Sequence, residues 1–234
     1  MPTRQLVRSG ELFGISEGAT RTAISRMLGA GELESEPSGA AYGLAGPLLG
    51  RWDRQAESRS MDVRSPWDGT WTQAVVVLDG RPAADRSALR LAMTSLRLAE
   101  LREGVWLRPA NLDPTRHADA AAIAARQCRW FSLASPADPE VIVASLWDLP
   151  GWAVRAEELT GDLERHQNDL VASPPEHLAD GFLLDAAALR HLLADPLLPD
   201  ELLPRDWPGG RLRRAQASYD EAFRRLWRQR FADR

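Results

Sequence analysis

From Ser16 to Leu28 the apolar side chains return every three or four residues. Ala19, Thr20, Ala23, Ile24, Met27 and Leu28 make one stripe, which predicts an amphipathic helix. Ser16 is placed to cap it, because a hydroxyl accepts an orphan amide proton of the first turn. Glu17 follows, where the helix dipole favours an acid, and Gly29 and Gly31 stop the helix. The opposite face carries Gly18, Arg21, Thr22, Ser25 and Arg26. Glu32 to Ser35 and Tyr42 to Leu44 then alternate like two short strands around the turn Pro37-Ser38-Gly39. Ahead of the helix, Arg4 to Val7 has helical character and Ser9-Gly10 reads as a turn. Helix, turn, helix and two-stranded wing is the order of a winged helix-turn-helix.

Beyond the wing the pattern changes. Arg51 to Pro66 is polar and reads as a boundary. Gln73 to Leu78 holds the run Ala74-Val75-Val76-Val77-Leu78, a buried strand. Ala84 to Leu98 places Leu89, Ala92, Met93 and Leu96 on one helical face. Val105 to Leu107 is a second strand ended by Pro109, His117 to Gln127 an alanine-rich helix, and Cys128 to Leu133 a further strand. Strand, helix, strand, helix, strand fits a compact ferredoxin-like unit. From Pro136 the chain is helical: 141–149, ended by Pro150-Gly151, then 152–171, 180–193 and 212–231. The proline-rich connection 195–208 is too apolar for a free linker, so its leucines and Trp207 are expected to pack. The predicted class is α+β: an N-terminal winged helix-turn-helix over 1–55, a central ferredoxin-like domain over 66–135 and a helical C-terminal domain over 136–234.

Charge narrows the chemistry. All 29 basic residues are arginine, so a P-loop, Schiff-base or kinase lysine is excluded. Residues 1–55 carry six arginines against six acids, and the net charge is −4, which argues against tight non-specific nucleic-acid binding. One cysteine, Cys128, gives no internal disulfide and no thiolate metal cluster. There is no signal-peptide core and no apolar run approaching the ~20 residues of a membrane span. A cytoplasmic protein without cofactor is expected. The second helix of a helix-turn-helix lies in the major groove, where short polar and guanidinium side chains reach bases and phosphates. Arg21, Thr22, Ser25 and Arg26 are the candidate reading residues, with Ser38 and Gly39 at the wing tip. The terminal helix adds a second basic face of Arg213, Arg214, Arg224, Arg225, Arg228 and Arg230, expected to be solvated. A rival string, Gly14-Ile15-Ser16-Glu17-Gly18, matches a hydrolase nucleophile elbow, but no apolar strand precedes it.

Several of these stretches resemble the PaaX family, repressors of phenylacetic-acid degradation. Ser16-Glu17 through Leu33 resembles its recognition helix, 103–109 its central-domain strand, and Leu146-Trp147-Asp148-Leu149 its first C-terminal helix. The run 195–209, from Asp195-Pro196-Leu197-Leu198-Pro199 to Trp207-Pro208-Gly209, is the most specific. The resemblance implies a central domain similar to the Cas2 fold and a homodimer on double-stranded operator DNA. It also implies release by a small acidic effector such as an aryl-acetyl or acyl coenzyme A thioester. Arg102, Arg108 and Arg155 are candidates for the effector's phosphates, with no pocket assigned. Family members carry one more helix ahead of the helix-turn-helix, so residues 3–13 stand for the family's second helix. Glu34 and Glu36 make the wing poor in positive charge, and such a wing grips phosphate weakly.

Two other readings compete with a repressor. One is a relative that keeps the fold as a ligand sensor or interaction module without binding DNA, favoured by the neutral first segment. The other is a metal-dependent nuclease, resting on Asp79 after the first central strand. Asp79-Gly80 is also an ordinary turn, and His117, His166, His177 and His191 form no metal-binding spacing.

Overall fold

A computed structural model describes residues 1–37, 41–60, 64–170 and 178–232. The chain forms two compact units, each assembled from separated segments: 1–59 with 155–193 and 209–234, and 60–154 with 194–208.

In the first unit α1 (Thr3–Leu12) packs on α2 (Glu17–Gly29), and the chain continues into β1 (Leu33–Ser35), β2 (Tyr42–Leu44) and α3 (Pro47–Ser58). The expected turn at Ser9-Gly10 is wrong, because α1 runs straight through it. Gly10 is buried against α2, and a Cβ there would lie 2.5 Å from the Thr20 hydroxyl oxygen. The glycine is therefore a close-packing residue, and the chain turns at Phe13 to Ser16. β1 and β2 pair antiparallel, with Leu33 opposite Leu44 and Ser35 opposite Tyr42. At the ribbon's base Ala45 N–H donates to Glu32 O at 2.8 Å, and a Cβ on Gly46 would meet Gly31 O at 2.5 Å. Gly31 and Gly46 both have positive φ, 68° and 48°, a region glycine enters without strain. The first half of the expected boundary, up to Ser58, is helical and belongs to α3, and the division between the two units falls within the stretch, at 59/60. Leu49 and Trp52 of α3 are exposed. The unit is completed by most of α7 (Leu149–Leu170) together with α8 (Leu178–Leu193) and α9 (Gly209–Ala232), the last two packed on each other.

The second unit is built on the antiparallel sheet β4-β5-β3-β6, made by β3 (Trp71–Val76), β4 (Ala99–Arg102), β5 (Val105–Pro109) and β6 (Cys128–Leu133). With α4 (Ala83–Ser95) between β3 and β4, and α5 (Ala118–Gln127) between β5 and β6, the connections are βαββαβ, the ferredoxin-like pattern. Both helices contribute to one core with Ala74, Trp106 and Cys128 of the sheet, where Met93 and Ala124 are fully buried. Trp71 and Leu107 belong to a second core with Val143 of α6 (Pro139–Leu146), Leu149, Leu198 and Leu202. The proline-rich run thus packs as expected: Leu197, Leu198 and Leu202 are buried, and Trp207 stacks on Trp152 at 4.4 Å. The helix expected over 141–149 ends at Leu146, and Pro150-Gly151, expected to stop it, instead lies in the first turn of α7. There Asp148 caps, its Oδ1 accepting Gly151 N–H at 2.9 Å.

A buried hydrogen-bond cluster in this unit centres on Arg108. Its side chain is buried, and Nε, Nη1 and Nη2 donate to Pro109 O (2.9 Å), Arg97 O (3.1 Å) and Asn111 Oδ1 (2.8 Å). Nη2 also reaches Leu197 O at 3.4 Å, which Asn111 Nδ2 approaches to 2.9 Å. Leu197 stands in the left-handed region at φ 53°, and its N–H is held by the Asp195 carboxylate at 2.9 Å. Such a conformation costs a non-glycine residue about 1–3 kcal/mol and persists where surrounding bonds over-determine it.

Candidate nucleic-acid interface

The α2 cap forms as its residue types dictate. The Ser16 side chain accepts from Ala19 N–H at 3.3 Å, and Glu17 occupies the first turn. α1 precedes this Ser16, so the strand a nucleophile elbow needs is absent and the serine is a helix cap. Thr20 and Ile24 face inward, whereas Ala19, counted in the apolar stripe, is exposed.

Arg21, Thr22, Ser25 and Arg26 are all exposed, and at 100° per residue they share one arc with Gly18, Ala19 and Gly29. The arc is smooth at its centre, since a Cβ on Gly18 would meet nothing within 4 Å. The fold therefore does not require glycine at that position. The Arg21 guanidinium is partly occupied: it pairs with Glu17 at 2.8 Å, both side chains being more than half exposed. The Thr22 hydroxyl donates to Gly18 O at 2.9 Å and keeps its lone pairs available outward. Ser38 and Gly39, the two wing-tip candidates, lie outside the described residues.

Elsewhere the structure sorts the other candidates. Arg108, a proposed phosphate ligand, is closed off by the carbonyl cage described above. Burial, with Arg97 and Arg116 nearby, pulls its pKa down to about 9, so it remains charged at neutral pH. Arg155 pairs with Glu158 at 2.7 Å on the surface, and Arg102 is exposed. Two arginines of the basic face of α9 are balanced within the helix: Arg224 pairs with Asp220 at 2.9 Å and Arg225 with Glu221 at 3.3 Å. Arg213 is misplaced on that solvated face. It is buried, and its Nε donates to Ser58 O at 2.9 Å. Asp79 is exposed beside Gly80, whose φ of 64° marks a turn. Among the described residues no three His, Cys, Asp or Glu side chains converge to hold a metal ion. No helix among them is long and apolar enough to cross a membrane. Burial raises the Cys128 thiol pKa, which disfavours the nucleophilic thiolate.

The comparisons with known proteins cover nearly the whole chain. Residues 1–48 match the family model described as PaaX-like protein, 64–137 the PaaX protein central Cas2-like domain, and 147–233 the PaaX-like protein C-terminal domain. Among solved structures, the uncharacterized protein Rv0674 from Mycobacterium tuberculosis is similar at 37% identity and a TM-score of 0.70. The match covers 97% of this chain and 89% of that one. No curated protein matches the sequence. Three consecutive family matches, on a chain whose central unit has the βαββαβ sheet, lead to one conclusion: this protein belongs to the PaaX family and is a PaaX-like regulator.

Proposed function

We propose that the protein is a DNA-binding transcriptional regulator, acting as a homodimeric repressor that a small acidic effector releases from its operator. The observation that carries this reading is the α2 face. Two arginines and two hydroxyl residues share an exposed arc around a glycine the fold does not need. α1 backs this helix and the ribbon β1–β2 follows it, which is the winged helix-turn-helix order. Arg21 and Arg26 would meet phosphates or guanine edges, and Thr22 and Ser25 base edges. Ser38 and Gly39 would contribute the wing contact. The effector class, an aryl-acetyl or acyl coenzyme A thioester, is carried over from the family resemblance.

The test is fluorescence anisotropy with a labelled fragment from upstream of the protein's own gene, against unrelated DNA. Tight binding to the upstream fragment alone, lost in Arg21→Ala/Arg26→Ala and reversed by an acyl coenzyme A, supports the proposal. Equal weak binding to both fragments sinks it. The sensor reading is favoured by one observation, the Glu17–Arg21 pair within a neutral first segment. Calorimetric acyl coenzyme A binding by a protein that ignores DNA would select it.

A further inference from the structure

Phe13 sits in the turn between α1 and α2, three residues before the Ser16 cap. Its ring meets Phe182 of α8 edge-on, with centroids 5.3 Å apart at 71°, inside the preferred aromatic range of about 4.5–7 Å. Phe182 in turn lies 6.4 Å from Phe223 of α9, and Phe223 contacts Trp227 at 5.6 Å. The packing that sets Phe182 in this row is tight: a Cβ on the neighbouring Gly181 would come within 2.8 Å of the Tyr219 hydroxyl and 3.3 Å of the Phe223 ring. A second tie lies at the far end of the same N-terminal segment, where Ser58 at the end of α3 is fully buried and its carbonyl accepts from Arg213 of α9 at 2.9 Å. The segment holding α2 is thus gripped by α8 and α9 just before the helix and again just after the ribbon and α3. All of these residues belong to one compact unit although the central sheet separates them in sequence. Phe182 itself is 45% exposed, so the unit's core does not account for an aromatic there.

We propose that Phe182 is a positioning residue for α2: through Phe13 it sets the angle at which the helix leaves its turn, making α8 and α9 the elements that tune the reading face. This deepens the DNA-binding proposal and rests on it for its consequence, while the positioning itself is measurable without DNA. The experiment uses the full chain and the labelled upstream fragment, with hydrogen exchange followed in parallel. Phe182→Ala and Phe13→Ala each weaken binding about tenfold, the scale of one aromatic pair. Phe182→Tyr, whose hydroxyl can point to solvent, restores wild-type affinity. The double alanine variant is no weaker than either single one, because both remove the same contact. In the alanine variants the amides of residues 14–20 exchange about fivefold faster while α9 keeps its protection. If losses simply add, or residues 14–20 exchange as in the wild type, the positioning role is overturned. If the wild type ignores the fragment, the DNA reading fails and the exchange comparison alone decides the positioning.

Discussion

Glu17 competes with any phosphate that approaches the Arg21 guanidinium on α2. The carboxylate holds the guanidinium at 2.8 Å, and a DNA phosphate must displace it. Glu17→Gln should therefore tighten binding to the upstream fragment severalfold at low salt. It should cost the free protein about 0.3–1 kcal/mol of helix-dipole stabilisation. Anisotropy titrations paired with urea melts measure both, and weaker DNA binding in the variant would contradict the competition. Asp185 of α8 behaves differently. Burial raises its pKa, partly offset by Gln216, whose amide donates to it at 2.8 Å, with Asp220 also raising it and Arg59 and Arg224 lowering it. The folded state therefore binds its proton more tightly than the unfolded chain. Stability from this group is complete below the ordinary aspartate range and declines as pH rises through the raised value. Asp185→Asn, which keeps an acceptor for Gln216, should flatten that decline in denaturation midpoints taken from pH 4 to pH 8. Equal slopes in both proteins would remove Asp185 as the cause. The behaviour of Asp185 was not legible in advance, since its partners come from distant parts of the chain. The face of α2 was legible because cap, stripe and polar arc all lie within thirteen consecutive residues.

At the scale of elements, the strands with long apolar runs and the proline-rich segment announced themselves, whereas β4 did not. Ala99–Arg102 is a short edge strand with partly exposed side chains and an irregular register against β5. It carries too little buried alternation to stand out beside α4. Two stretches that resemble the family, 103–109 and 195–209, touch through Arg108 and Leu197, and Asn111, just beyond the first, bonds the same Leu197 carbonyl. Their distinctiveness has a physical cause: a left-handed leucine carbonyl, a buried guanidinium and an amide must all agree. Arg108→Lys should destabilise the protein by ~2 kcal/mol, because one ammonium cannot serve acceptors spread across a rigid fork. A melting curve indistinguishable from wild type would mean that the cage has a substitute donor.

For the molecule as a whole, the acidic balance limits how DNA could be held. With pI near 5.7 and a neutral first segment, attraction must come from few contacts. A dimer placing Arg21 and Arg26 of each protomer on phosphates should show a log–log salt slope of roughly −4. A slope steeper than about −8 would require phosphate contacts well beyond α2. Reading the chain segment by segment did not reveal that the N-terminal helices and the last helices share one compact unit, because nothing local encodes a contact such as Phe13 with Phe182. The base of the ribbon carries a different lesson. Gly31 and Gly46 bring the chain back to the point it left, closed by the Ala45–Glu32 bond. The paired strands Leu33–Ser35 and Tyr42–Leu44 stand on this clasp. Wings of other lengths and charges could be exchanged there while α2 and α3 keep their places, so, under the proposed DNA-binding function, the grip on a nucleic-acid backbone could diverge among relatives independently of α2.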